Sequence, residues 1–118
     1  MPMLKPSILY QALADPVRLR CTLLLAHAGE LCVCELTESL HLSQPMISRH
    51  LAVLRRNALV DSRRNGLWIH YSLHPELPTW ARMAIRATLR GVARTAPFDG
   101  DRRRLRKARR PASRCGIP

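Results

Sequence analysis

Apolar positions recur along this chain with a helical period, then briefly alternate, then return to the helical period. Ile8, Leu9, Ala12 and Leu13 are spaced for a helix over 7–14. Asp15 and Pro16 then supply an N-cap and a first-turn proline for a second helix. Val17, Leu19, Cys21, Leu23, Leu24 and Leu25 predict that this helix is mostly buried, and Gly29 ends it. "LCV" at 31–33 is apolar and β-leaning, and reads as a brief strand or as the entry to the next helix. Leu36 and Leu40 predict a short helix over 34–40, with a tight turn at His41 and Leu42. Ser43 caps a further helix over 44–57, with Gln44 and Pro45 in its first turn. Ile47, Leu51 and Leu54 form one stripe of that helix, and Gln44, Ser48, Arg49, Arg55 and Arg56 line the other. Val60, Ser62, Leu67, Ile69 and Tyr71 then suggest strands, with Asn65-Gly66 as the hairpin signal between them. Beyond Pro75 and Pro78, the residues Leu77, Ala81, Ala84, Ile85, Thr88, Leu89 and Val92 make the apolar face of a last helix at about 77–92.

This order predicts a mainly α fold with a small β-hairpin, a winged helix-turn-helix, over residues 1–94. Residues 95–118 hold three prolines, two glycines and a single aromatic, Phe98. That composition predicts a basic, disordered tail. No apolar run approaches the roughly 18 residues that span a membrane. The start, "MPMLKPS", lacks the apolar stretch of a signal peptide. The expected compartment is therefore the cytoplasm, where thiols stay reduced.

Charge narrows the class of partner. The chain holds 20 Lys and Arg against 8 Asp and Glu, a net charge of +12. Eight of those basic residues lie in 97–118, against two acids. Such a balance attracts polyanions, chiefly nucleic acid, without choosing a sequence. The helix-turn-helix supplies the choice, because its second helix enters a major groove with its N-terminal residues on base edges. Gln44 suits adenine, Arg49 suits guanine, and Ser48 serves either. Arg55 and Arg56 lie where phosphates run, and Arg63, Arg64 and Asn65 occupy the wing. His50 can reach phosphate or pack at the edge of the core. One recognition helix covers too few base pairs to select a site, so a homodimer through the first and last helices is expected on double-stranded operator DNA. Trp80 and Met83 belong to that surface or to the intrachain core.

An enzyme is not expected. The cysteine pair Cys32 and Cys34 is Cys-x-Cys, whereas redox motifs favour Cys-x-x-Cys on a thioredoxin-like pattern. There is no Ser/His/Asp arrangement on a pocket scaffold and no glycine-rich phosphate loop.

The strings "LADPVRLRCTLLL", "ELCVCEL", "LSQPMISRHLAVLRRNALV" and "RRNGLWIHYSL" resemble the ArsR/SmtB family of bacterial metalloregulators, and most of all its arsenic-responsive branch. The similarity runs from about Leu9 to Val92. It implies a homodimeric winged-helix repressor that binds operator DNA when ligand-free and releases it when As(III) or Sb(III) binds, derepressing arsenic-resistance genes. Carried over, Cys32 and Cys34 are the metalloid ligands, and no resident cofactor is required. Members with this motif often carry a third cysteine where this chain has Thr37. The carboxylate and histidine site that other members place on the last helix has no counterpart after Glu76.

Soft trivalent arsenic selects thiolates and suits a pyramid of three sulfurs. Zinc prefers four ligands in a tetrahedron. His27 and His41 are the nearest imidazoles in sequence and keep zinc or cadmium open, as the thiols keep a redox signal open. Cys32 is expected just before the helix and Cys34 in its first turn, where the helix N-terminus should lower a thiol's pKa. Cys21 reads as core. Cys115, on the tail, is a candidate third ligand.

Overall fold

The computed structural model describes residues 4–109. The elements run α1 (Pro6–Leu13), α2 (Pro16–Ala28), β1 (Glu30–Cys32), α3 (Val33–Leu40), α4 (Gln44–Arg56), β2 (Val60–Asn65), β3 (Trp68–Leu73), α5 (Thr79–Gly91) and α6 (Phe98–Ala108). The strands make one antiparallel sheet in the order β1-β3-β2. Leu9, Leu25, Leu31, Leu36, Ile47, Leu51, Leu54, Leu59 and Ile85 meet in a core from which water is excluded. Helical spacing places Leu9, Leu25, Leu36, Ile47, Leu51, Leu54 and Ile85 inward; Leu31 and Leu59 join them from β1 and from the turn before β2.

Local chemistry explains the boundaries. Asp15 Oδ1 accepts the backbone N–H groups of Val17 at 2.8 Å and Arg18 at 3.1 Å, which starts α2. Gly29 ends that helix at φ +91°, a backbone conformation that other residues reach only with strain. His41 adopts the left-handed conformation at φ 55° between α3 and α4. Ser43 then accepts the Met46 N–H at 3.4 Å to open α4. Asn65 pairs with Trp68, so the hairpin loop is Gly66-Leu67, one residue later than the Asn65-Gly66 signal suggested. Gly66 meets the turn's demand for positive φ at +63°.

Burial raises the Asp15 pKa, but hydrogen bonds from the Arg18 and Val17 backbone outweigh it and the net shift is downward. A depressed carboxylate pKa adds stability above the unfolded value that is lost as pH falls through the folded one. Asp15→Ala should therefore cost about 1 kcal/mol in urea denaturation at neutral pH. The charge-dependent part of that cost should fade below pH 3.8, the ordinary value of this carboxyl.

The tail is not disordered over its described part. Residues 98–108 form α6, which packs on α2 and α3. Leu105 and Ala108 bury apolar side chains from it, and Phe98 packs half-buried against the core. Ion pairs supply the rest. Asp101 is 1% exposed and receives Arg20 at 2.7 Å from α2 and Arg104 at 2.8 Å from its own helix. Arg104 also donates to the Ser39 carbonyl of α3 at 2.6 Å. Asp99 and Asp101 stand in the first turn, and Arg106 and Lys107 in the last, as the helix dipole favours. Residues 1–94 thus do not account for the whole folded unit.

Candidate functional site

Two candidate features lie on packed elements: a basic surface on α4 and the β2–β3 hairpin, and a cysteine pair at the N-terminus of α3, which contacts α4. On α4, Ile47, Leu51 and Leu54 are buried, which turns Gln44, Ser48, Arg49, Arg55 and Arg56 to solvent. Among the described residues, none of Arg49, Arg55, Arg56 and Arg64 is held in an ion pair with a carboxylate. Charges left in this way on one convex face are available to phosphates and base edges. The wing hairpin projects beside them, with Arg64 and Asn65 exposed at its end.

Two further candidates for this surface have partners within the chain. His50 Nδ1 lies 3.8 Å from Asp15 Oδ1 and 3.5 Å from an Arg18 guanidinium nitrogen, with its side chain 13% exposed. It packs α4 onto the start of α2 instead of facing outward. Arg63 makes a two-pronged bond to Glu30, at 2.6 Å and 3.0 Å. That bond, chiefly, holds the Glu30 carboxyl below its usual pKa. Arg63 therefore clips the wing to β1, and Arg64 is the basic residue left at the tip.

At the thiol site, Cys32 is the N-cap of α3, with extended backbone at φ −84° and ψ 166°. Cys34 follows in the first turn, and its residue is exposed while Cys32 is buried. This is the break in helical geometry that a Cys-x-Cys pair needs, because the two side chains leave the backbone from different conformations. Glu35 reaches back, and its Oε1 accepts the Cys32 N–H at 3.0 Å. Its Oε2 takes Arg109 at 3.1 Å, and Arg109 also donates to the Glu30 carbonyl at 2.9 Å. The end of α6 is thus fastened to the N-terminal end of α3, beside Cys32. Nothing in the sequence spacing pointed to Glu35 or Arg109, since the two are 74 positions apart.

The helix N-terminus does not lower the Cys32 pKa as expected. Burial pushes it up and the Glu35 carboxylate adds to that, while backbone donors at Glu35 and Cys34 only soften the shift. Burial likewise raises Cys21, to about 12, so it is an inert core thiol. Cys21 and Cys32 are free thiols, and Cys34 is disulfide-bonded. Reduction of that bond would leave two thiols at the N-terminus of α3, Cys32 and Cys34. Cys115 lies outside the described residues. His70, on β3, is the register partner of Cys32, a neighbour that neither His27 nor His41 turns out to be. Among the described residues, no three His, Cys, Asp or Glu side chains converge as a closed metal site. Also among them, no helix is long and apolar enough to cross a membrane.

A family model described as "Bacterial regulatory protein, arsR family" matches residues 15–62. The "Arsenical resistance operon repressor" of Escherichia coli is 51% identical over 85 residues, which cover 72% of this chain and 73% of that protein. The chain belongs to the ArsR family. These are regulators and not enzymes. The "Arsenic resistance transcriptional regulator ArsR1" of Pseudomonas putida is 55% identical over 89 residues, covering 75% of this chain. The match spans 66% of that relative, just under two thirds of its length. Among solved structures, HlyU from Vibrio cholerae is 36% identical, with a TM-score of 0.64 over 71% of this chain and 87% of its own. These likenesses place the ArsR winged helix-turn-helix on the order of elements described above.

Proposed function

We propose that this ArsR-family chain is an arsenic-responsive transcriptional repressor. It holds operator DNA through α4 and the wing, and it lets go when trivalent arsenic or antimony binds Cys32 and Cys34. The observation that carries the reading is the position of the pair. A thiol N-cap and a thiol in the first turn stand on the helix that packs directly against the reading helix. Relatives named for arsenic resistance support it at 51–55% identity. Metalloid binding draws the two sulfurs onto one atom, which distorts the first turn of α3 and displaces α4. Release follows if the ion binds the DNA-free form more tightly than the DNA-bound one.

The protein acts as a homodimer on a two-part operator. Tyr10 on α1 and Met83 on α5 are large side chains left 58% and 66% exposed, and they mark the faces that a second copy would cover. Trp80, by contrast, packs against the intrachain core.

Arg49→Ala should weaken operator binding roughly 5–150-fold, the 1–3 kcal/mol of a base-reading pair. Arg64→Ala should lower affinity for all sequences alike, and should flatten the salt dependence by about 0.9 in log–log slope, as one phosphate contact would. Filter binding at four salt concentrations separates the two.

A second reading keeps the DNA binding and changes the signal to thiol oxidation, or to a soft divalent metal. The disulfide at Cys34 is the observation that favours the redox version. Fluorescence anisotropy on upstream promoter DNA decides between them. Under reducing conditions arsenite should release the protein while zinc and cadmium do not. Release by peroxide, with none by arsenite, would support the second reading.

A further inference from the structure

We infer that α6 is a splint on α3, and that Glu35 and Arg109 are the positioning residues through which metalloid binding moves α4. The inference rests on the arsenic reading above. Neither residue is a ligand; each acts on the backbone that carries the thiols. Glu35 is 4% exposed and is the N3 residue of a capping box whose N-cap is Cys32. Such a box needs only one carboxylate oxygen, to accept the N-cap N–H. Here Oε1 takes that bond at 3.0 Å, and Oε2 accepts Arg109 at 3.1 Å. Arg109 adds a bond to the Glu30 carbonyl at 2.9 Å, on the strand that leads into Cys32.

The other end of α3 is held as well. Arg104 donates to the Ser39 carbonyl at 2.6 Å and Arg20 to the Leu40 carbonyl at 2.9 Å, while both arginines pair with the buried Asp101. The early grip on α6 meets the late end of α3, and the late grip meets its start, so the two helices run antiparallel. Their spacings match: Arg104 to Arg109 rises about 7.5 Å along α6, and Glu35 to Ser39 about 6 Å along α3. Leu105 and Ala108 lie between the two grips in sequence and are buried. Ser39 and Leu40 stand directly before His41, whose left-handed backbone turns the chain towards α4.

This arrangement decides where the strain of binding goes. Drawing the Cys32 and Cys34 sulfurs onto one atom changes the first turn of α3. A short helix that is free at its ends absorbs such a change by unwinding locally, and nothing beyond it moves. With both ends tied to α6, α3 shifts as one body and carries the His41 turn and α4 with it. Coupling between two sites needs an element whose arrangement both of them bias, and the splinted α3 is that element. The splint also resists the change in the first turn, so metalloid binds against it. Cutting the tie at Glu35 therefore eases binding and weakens its effect on DNA together.

The test uses the full chain, reduced with a phosphine, and reads operator affinity by fluorescence anisotropy with and without saturating arsenite. Arg109→Ala removes one side of the tie. Glu35→Gln removes the other side and keeps the cap, because its amide oxygen accepts the Cys32 N–H and leaves only N–H donors facing Arg109. The two exchanges delete opposite charges, so an effect they share is mechanical and not electrostatic. Both should leave operator affinity without arsenite unchanged. Arsenite should then weaken operator binding by less than about threefold, against roughly 5–150-fold in the wild type. Equilibrium dialysis should show arsenite binding the operator-bound variants at least as tightly as the operator-bound wild type. The double variant should do no more than either single one, because both cut the same tie. Arg103→Ala removes a charge of α6 that pairs with Asp99 of the same helix, and it should keep full release. Full release from either Arg109→Ala or Glu35→Gln, or operator binding lost before arsenite is added, would overturn the inference and leave the arsenic reading standing. No release of the wild type by arsenite would overturn both.

Discussion

Cys34→Ser should leave operator affinity within about twofold of the wild type and abolish release by arsenite. The position explains both halves of this result. Cys34 is exposed in the first turn of α3, so in the reduced protein, where its disulfide is already open, a serine there leaves the apolar core unchanged. Serine is also at home near helix starts, where its hydroxyl can accept backbone donors. Its oxygen is hard, however, and does not replace a thiolate on arsenic. The loss should therefore be the whole coupling, roughly 1–3 kcal/mol, and not a fraction of it. Cys32→Ser should abolish release too. It replaces a buried N-cap with a preferred one, so its stability should hold or rise. Persistent release by arsenite from either variant would remove that residue from the site.

Asp101→Ala should cost about 3 kcal/mol of stability, the largest effect expected of any exchange outside the apolar core. Asp101 is 1% exposed and balances Arg20 and Arg104 at once. Breaking a buried ion pair costs about 3–5 kcal/mol, because the partner keeps its charge without compensation. The arginine side chains here are 16% and 30% exposed, so water relieves part of that and the lower end applies. The side-chain hydrogen bond to Asp101 is the main reason the Arg20 pKa is raised, and that stabilisation goes with the carboxylate. Urea denaturation should show the loss, and hydrogen exchange should show α6 opening before α2. A cost under about 0.5 kcal/mol, the range of ordinary surface exchanges, would mean that the Asp101 ion pairs do not hold α6 and that its apolar contacts through Phe98, Leu105 and Ala108 do.

These two sites differ in how far the sequence announces them. The helix-turn-helix is written in local signals: the Asp15 and Ser43 caps, the stop at Gly29, and the spacing of Ile47, Leu51 and Leu54. Each acts within a few residues of itself, so reading along the chain recovers α2, α3 and α4 to within a residue or so. The helix α6 is different. "FDGDRRRLRKA" has few apolar residues, and its stability comes from partners 65 to 81 positions away. No periodicity encodes such a partner. The one local signal, acids in its first turn and bases in its last, is weak beside the net positive charge of the segment.

The same distinction separates the residues within the candidate site. Gln44, Ser48, Arg49, Arg55 and Arg56 fall on the exposed face because the apolar stripe opposite them fixes the rotation of α4. His50 sits at the boundary of that stripe, and only the approach of Asp15 and Arg18 decides that it turns inward. Arg63 is claimed by Glu30, 33 positions back, through the pairing of β1 with β3. Cys32 was rightly placed as a cap, but its acidity depends on burial by the rest of the fold, which outweighs the helix terminus.

Under the proposed mechanism the α3 thiols and the α4 reading face share one equilibrium. The measurement that tests it most directly is the operator affinity of the reduced wild-type protein, by fluorescence anisotropy, with and without saturating arsenite. A coupled site predicts operator binding roughly 5–150-fold weaker with arsenite, and arsenite binding weaker by the same factor when DNA is present. Equal operator affinities, with arsenite shown to be bound, would contradict it.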